Sequence, residues 1–169
     1  MMMDDEIAYN ASTFRNENLD RTRRIGGKFS ALLKPVSWLS IDGNLSYVDA
    51  VFDAGSYKGE TVPLVPALEA SVGAKLVLPA GFTVGSEVSY TGEQTDSGSL
   101  AYPDSYDSLE PYTLVGLSAG FVPPAFGGKL ALNAKVDNLL DTSYASYVYW
   151  GAYYPAEGRS FMISVSYTY

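Results

Sequence analysis

The chain has 169 residues, with 11 Lys and Arg against 19 Asp and Glu, and neither Cys nor His. One domain fits that length, and the missing residue types exclude disulfide scaffolds, thiol catalysis, Cys- or His-ligated metals and Ser-His-Asp triads. A formal charge of −8 makes a poor nucleic-acid binder, and 18% charged with 14% aromatic residues does not describe an ordinary charged exterior.

Taken in chain order, the start MMMDDEIAYN has no basic segment followed by an apolar one, so it does not read as a signal peptide. No apolar run reaches the roughly 18 residues of a membrane helix, so any membrane contact must come through strands. The period is two almost throughout, and helical i, i+3, i+4 spacing is missing. Eight strands are predicted, at about 4–12, 22–34, 38–51, 66–78, 82–93, 110–122, 128–138 and 158–169. Short connections carry Pro or Gly: KPVSW at 34–38, LPAGF at 78–82 and VPPAFGG at 122–128. Long ones cover 12–21, 52–65, 94–109 and 139–157. Short and long alternate, which puts every long loop at one end of an antiparallel meander.

Within the strands, residues alternate apolar and polar. The last strand sets Phe161, Ile163, Val165, Tyr167 and Tyr169 against Ser160, Met162, Ser164, Ser166 and Thr168. The strand before it opposes Leu130, Leu132, Ala134 and Val136 to Ala131, Asn133, Lys135 and Asp137. No charged residue is expected on the apolar face of the second to eighth strands. The other face carries Arg24, Lys28, Asp42, Glu69, Lys75, Glu87, Lys135 and Asp137 amid Ser, Gly, Thr and Asn. Such a polar face lacks the Lys and Glu of a water-facing surface, so the apolar face is read as lipid-facing. Aromatics collect at both strand ends: Trp38, Phe82, Phe121, Phe126 and Tyr169 at one, Tyr47, Tyr90, Tyr144 and Tyr147 at the other, like two interfacial girdles. Residues 161–169, at about 3.3 Å each and tilted about 40°, span roughly 23 Å, close to a barrel's apolar band. The fold class is all-β, an antiparallel transmembrane β-barrel meander of about eight strands.

Two stretches then carry a resemblance. VDNLLDTSYASY at 136–147 and YYPAEGRSFMISVSYTY at 153–169 resemble the C-terminal end of TonB-dependent outer-membrane receptors, through Asn138, Leu139, Asp141, Tyr144, Tyr154, Pro155, Gly158, Arg159 and Tyr169. Leu140 stands where that family usually has Phe. NENLDRTRRIGGKFS at 16–30 and GETVPLVP at 59–66 are similar to receptor elements too, with Lys28 where the family commonly has Glu. The resemblance implies a 22-stranded barrel, of which these strands are the last third, with a plug domain ahead of it. Residues 1–169 are then expected to be the C-terminal barrel portion, a fragment without plug or signal peptide. TonB would be met only through the lacking N-terminal part. The implied function is uptake of a ferric siderophore or a similar scarce chelate. A self-contained eight-stranded outer-membrane barrel with a structural or adhesion role is the alternative. An enzyme would have to rest on carboxylates alone, and none forms a recognisable pair, so catalysis is not expected. Neither a cofactor nor a metal is expected.

Among candidate residues, Tyr147, Tyr149, Trp150, Tyr153 and Tyr154 crowd the last long loop. They form a surface that stacks on ligand, or else a girdle with loop packing, which any such barrel would show. Phe161, Ile163, Val165, Tyr167 and Tyr169 are, by the resemblance, the signal read by the barrel-assembly machinery. Asp96, Asp104, Asp107 and Glu110 read as a solvated acidic loop rather than a Ca²⁺ site, and Asp49 and Asp53 likewise. The LDRTRR cluster at 19–24 fits either lipopolysaccharide phosphates or acidic groups of lumen and plug. Arg159 is expected to anchor the return of the last loop. The expected partners are outer-membrane lipid and lipopolysaccharide, the remaining barrel and plug, TonB and the assembly machinery.

Overall fold

The computed structural model describes residues 2–3, 7–10, 15–18, 21–100 and 108–169, the first three stretches as backbone. Its strands are β1 (Met2–Met3), β2 (Ile7–Asn10), β3 (Arg15–Asn18), β4 (Thr22–Val36), β5 (Leu39–Phe52), β6 (Leu68–Val77), β7 (Phe82–Thr91), β8 (Tyr112–Phe121), β9 (Leu130–Asp137), β10 (Ala145–Tyr149), β11 (Ala152–Pro155) and β12 (Ser160–Tyr167). Eight of these form one antiparallel sheet in the order β1-β4-β5-β6-β7-β8-β9-β12, while β2–β3 and β10–β11 are separate hairpins. Among the described residues the sheet does not close on itself. Among the described residues no helix is long and apolar enough to cross a membrane.

Seven of the predicted strands stand within about two residues of their expected bounds. Pro and Gly set the short ends, with tight turns at Pro79–Gly81 and Pro124–Phe126. β4 runs on past Pro35 to Val36, where the register with β5 shifts between Leu33 and Val36. An irregularity of this kind accommodates a proline that cannot donate to the ladder.

The first predicted strand is a correction. Among the described residues ahead of β4, Met2–Met3 alone joins the sheet, opposite Arg23 and Thr22, while Ile7–Asn10 pairs with Arg15–Asn18 of the segment expected to be a loop. Pairing across so few intervening residues loses little chain entropy, which favours a local hairpin over a distant ladder. The rest of the predicted 4–12 strand lies outside the described residues.

Register settles the faces. Leu45, Ala70 and Tyr90 share one rung, as do Gly43, Val72 and Val88, and Leu132 with Val165 and Phe121. This apolar face is bare: Val72 is 57% exposed, Phe161 72% and Ile163 81%. In water so large an exposed apolar surface invites association, and hydrocarbon removes that penalty. The polar face is the concave one, lining a trough of about 680 Å³. Glycine makes room there for polar neighbours: a Cβ on Gly73 would sit 2.6 Å from Asp42 Oδ1. Lys135 and Asp137 pair on the same surface at 2.8 Å.

The expectation of an uncharged apolar face fails at one end. Arg23 faces Val51 and Asp49 faces Ile25, both in phase with Phe29 and Leu45. Each lies beyond Tyr47 toward the long loops, and Arg21 and Asp53 pair nearby at 2.8 Å. Near the interface a lipid-side charge costs only about 0–1 kcal/mol, so the rim tolerates what the middle does not.

An arginine at mid-face is a different matter. Val72→Arg is expected to destabilise the membrane-embedded sheet by about 2–4 kcal/mol, and Ser71→Arg on the concave side by under about 1 kcal/mol. Urea unfolding in lipid vesicles distinguishes them, and equal losses would contradict the assignment of faces.

Candidate functional site

Three long loops rise from one end of the sheet, and they are built as a packed cap. Among the described residues the buried apolar side chains are Ala50, Phe52, Val62, Leu109 and Val148, all at this end. The 53–67 loop turns back on β5, where the Val62 N–H donates to Ala50 O (2.9 Å) and the Phe52 N–H to Glu60 O (2.9 Å). Its Tyr57 ring lies 5.7 Å from Phe52. Leu100 of the next loop packs on the same cluster, and the Leu64 N–H donates to Thr95 O (3.0 Å). The 92–111 loop is pinched at its base, Gln94 and Leu109 exchanging both backbone bonds.

Asp96 ties this loop to the last one. Its side chain is fully buried and accepts from the Gly98 N–H (2.7 Å), the Trp150 N–H (2.9 Å), the Gly151 N–H (2.6 Å) and, at 3.3 Å, the Ser97 hydroxyl. Trp150 and Gly151 both have positive φ, 52° and 73°, as the two-residue turn between β10 and β11 requires. Two successive N–H groups in that conformation converge on one anion. The expected solvated acid is thus a buried joint with its oxygens already engaged. Among the described residues no cluster of acids could hold a metal ion, and Asp104 and Asp107 lie outside them. The sequence did hold a signal: DSGS at 96–99 is Asx-turn chemistry, with the Asp side chain accepting from the N–H two residues on.

The five aromatic candidates separate. Tyr147 opposes Tyr154, and Tyr147 lies 5.6 Å from Tyr154 and 6.4 Å from Tyr149, so these three share one hairpin face. Tyr153 opposes the buried Val148 on the other face. There it borders a recess of about 720 Å³ with Tyr112, Tyr144 and Glu110. Trp150 sits at the turn.

Asn138, Asp141, Gly158 and Arg159 prove to be a clamp across the base of this loop. Asn138, at φ 48°, donates to Thr142 O (2.9 Å) and Glu157 O (3.4 Å) and accepts from the Thr142 N–H (2.9 Å). Leu139 donates to Val115 O on β8 (2.8 Å). Asp141 accepts the Arg159 N–H (2.8 Å), and a Cβ on Gly158 would come within 3.0 Å of that carboxylate. Arg159 thus anchors the returning chain through its backbone. The Tyr144 ring lies tilted against Tyr112 at 4.4 Å; burial first, then Tyr112 and Glu157, raises its phenol above the ordinary pKa. Pro155 closes β11 opposite Ala145. Phe161, Ile163, Val165 and Tyr167 occupy the apolar face of β12, with Tyr169 beyond its end.

A family model described as TonB dependent receptor-like, beta-barrel, matches residues 3–139. The chain belongs to that family. Its members are outer-membrane β-barrel proteins and transporters or receptors rather than enzymes. Among solved structures, the ferric-catecholate import receptor Fiu of Escherichia coli K12 aligns at TM-score 0.74 and 18% identity, over 98% of this chain and 24% of that one. The copper transporter OprC aligns at 0.76 and 19%, over 99% and 26%. The ferric yersiniabactin uptake receptor FyuA of Yersinia pestis aligns at 0.76 and 21%, over 90% and 24%. At such identities the likeness speaks for the fold, and this chain spans about a quarter of each receptor's length. No curated protein matches by sequence. The expected family and the all-β antiparallel meander both hold; the family match ends at Leu139, ahead of most of the C-terminal motif.

Replacing Asn138 tests the clamp. Asn138→Ala is expected to lose about 1–3 kcal/mol from broken loop bonds and a further ~1 kcal/mol from the left-handed backbone, the latter spared in Asn138→Gly. Denaturant unfolding of both variants checks the order Asn, Gly, Ala.

Proposed function

We propose that residues 1–169 supply the C-terminal part of the barrel of an outer-membrane receptor for TonB-dependent uptake of a ferric siderophore or a similar scarce chelate. One observation carries the reading: a sheet of this receptor family, apolar outside and polar within, ends in a packed loop cap whose last hairpin displays Tyr147, Tyr149 and Tyr154 together. Flat aromatic rings on a pre-formed support suit a large chelate with aromatic or apolar ligand groups. Relatives named for ferric-catecholate and ferric yersiniabactin uptake support iron as cargo, and the copper transporter among them keeps other metals in view. Trp150 serves this surface from the turn, and Tyr153 from the recess behind it.

The partners follow. The remaining barrel strands pair with the sheet edges, and a plug faces the concave polar surface. TonB acts through a segment outside these residues. The apolar face meets lipid, and the Arg21–Arg23 rim meets lipopolysaccharide phosphates. The assembly machinery reads Phe161, Ile163, Val165, Tyr167 and Tyr169.

Uptake of radio-iron presented as catecholate, hydroxamate or mixed chelates, in iron-starved cells lacking other receptors, tests the proposal. One ferric chelate is expected to enter, and removal of TonB is expected to abolish entry. Replacing Tyr147, Tyr149 and Tyr154 together by Ala is expected to weaken its binding about tenfold or more while the barrel still assembles. Uptake independent of TonB, or of these tyrosines, contradicts it.

A further inference from the structure

We propose that Asp96 is a positioning residue that joins the three long loops into one body and so fixes where the aromatic hairpin stands over the trough. The proposal rests on the foregoing function only for what the hairpin does once placed there.

Each loop is held to the next by a different interaction. The 53–67 loop meets the 92–111 loop through Leu100 against Phe52 and through the Leu64 N–H on Thr95 O. That second contact lands on the residue immediately before Asp96. Asp96 then receives Trp150 and Gly151, across 54 and 55 residues of sequence. The turn Ser97–Leu100 packs on β10, so the side chain and its own loop bear on the hairpin together.

Burial decides how strongly the joint acts. A fully buried carboxylate is tolerated only when its oxygens are paired, and each donor aimed at it is lost if it leaves. Four donors converge here, two from its own turn and two from the hairpin tip. The turn depends on them in return. A non-glycine residue such as Trp150 holds positive φ at an energetic cost, and the two N–H bonds to Asp96 offset it. Breaking the joint therefore frees the tip and removes the support for its strained turn at once. Tyr147, Tyr149 and Tyr154 lie on that hairpin. Displacement of any one loop, by ligand or otherwise, is passed to the others through Thr95 and Asp96.

The chain lacks Cys, so two can be introduced at will. Spin labels at exposed Lys58 and Ser146 of the membrane-embedded protein report the distance between the first loop and the hairpin, and hydrogen exchange reports the Trp150 and Gly151 amides. The unaltered protein is expected to give one narrow distance distribution and slow exchange at both amides. Asp96→Ala is expected to broaden the distribution and speed both amides at least tenfold, with β6 and β7 exchange unchanged. Asp96→Asn keeps one oxygen and turns an amide group toward a donor. It is expected to speed the two amides by less, so a folded variant remains if the alanine form fails to insert. Unchanged exchange at Trp150 and Gly151 in Asp96→Asn and Asp96→Ala overturns the joint. Fast exchange with an unbroadened distance overturns the single body. Neither readout uses a ligand, so a wrong cargo leaves this test intact.

Discussion

Backbone pairing is the constraint from which the rest follows. A strand crossing hydrocarbon has no water to satisfy its N–H and C=O groups, so each must find a partner in a neighbouring strand. The sheet meets this from β4 to β12 by antiparallel ladders, that between β8 and β9 covering Leu117–Phe121 of β8. Its two edges do not meet it. Among the described residues β12 has β9 as its sole neighbour, and β1 covers β4 at Thr22 and Arg23 alone. In lipid such edges would need further strands to pair with, and this chain spans about a quarter of each receptor it resembles.

Ladder pairing also fixes the chemistry of the faces. Because paired residues point the same way, one rung such as Gly43, Val72 and Val88 is apolar across the sheet, and the next, Asp42 with Gly73 and Glu87, is polar. Neither face can hold a conventional core. The buried apolar side chains collect instead where the chain enters water, around Phe52 and Val62, and there they organise loops. Stability in the band and order in the cap thus come from different sources: pairing and lipid in one, packing and a buried carboxylate in the other.

This division explains what could be read from the sequence. Period-two alternation and Pro- or Gly-bearing turns are local signals, so seven strands and the sorting of loops were legible. The Asn138, Asp141 and Gly158 clamp was visible as a pattern, though its reason lay in a left-handed backbone and a close approach. Arg23 and Asp49 were legible too, since both fall in phase with Phe29 and Leu45; what periodicity does not give is the depth at which such a charge is tolerated. Asp96 did escape. Its partners are a turn more than fifty residues away, and an acid among Ser and Gly looks solvated until the fold delivers those amides. The β10–β11 hairpin was concealed inside a segment read for its aromatics alone.

The same contrast separates what marks the family from what would choose a cargo. Asn138 bonds to the Thr142 and Glu157 backbone, the Asp141 carboxylate accepts the Arg159 N–H, and Leu139 bonds to β8, so these residues secure the returning strand without reference to any cargo. Tyr147, Tyr149 and Tyr154 share one face, in an arrangement set by hairpin register. Their register holds them to one another, and Asp96 ties the hairpin tip to the neighbouring loop. Asp96, outside the Asn138–Arg159 clamp, is the residue that touches the tip of the hairpin carrying the proposed binding surface. Changes in that one loop can reposition the surface without touching either the barrel or the tyrosines.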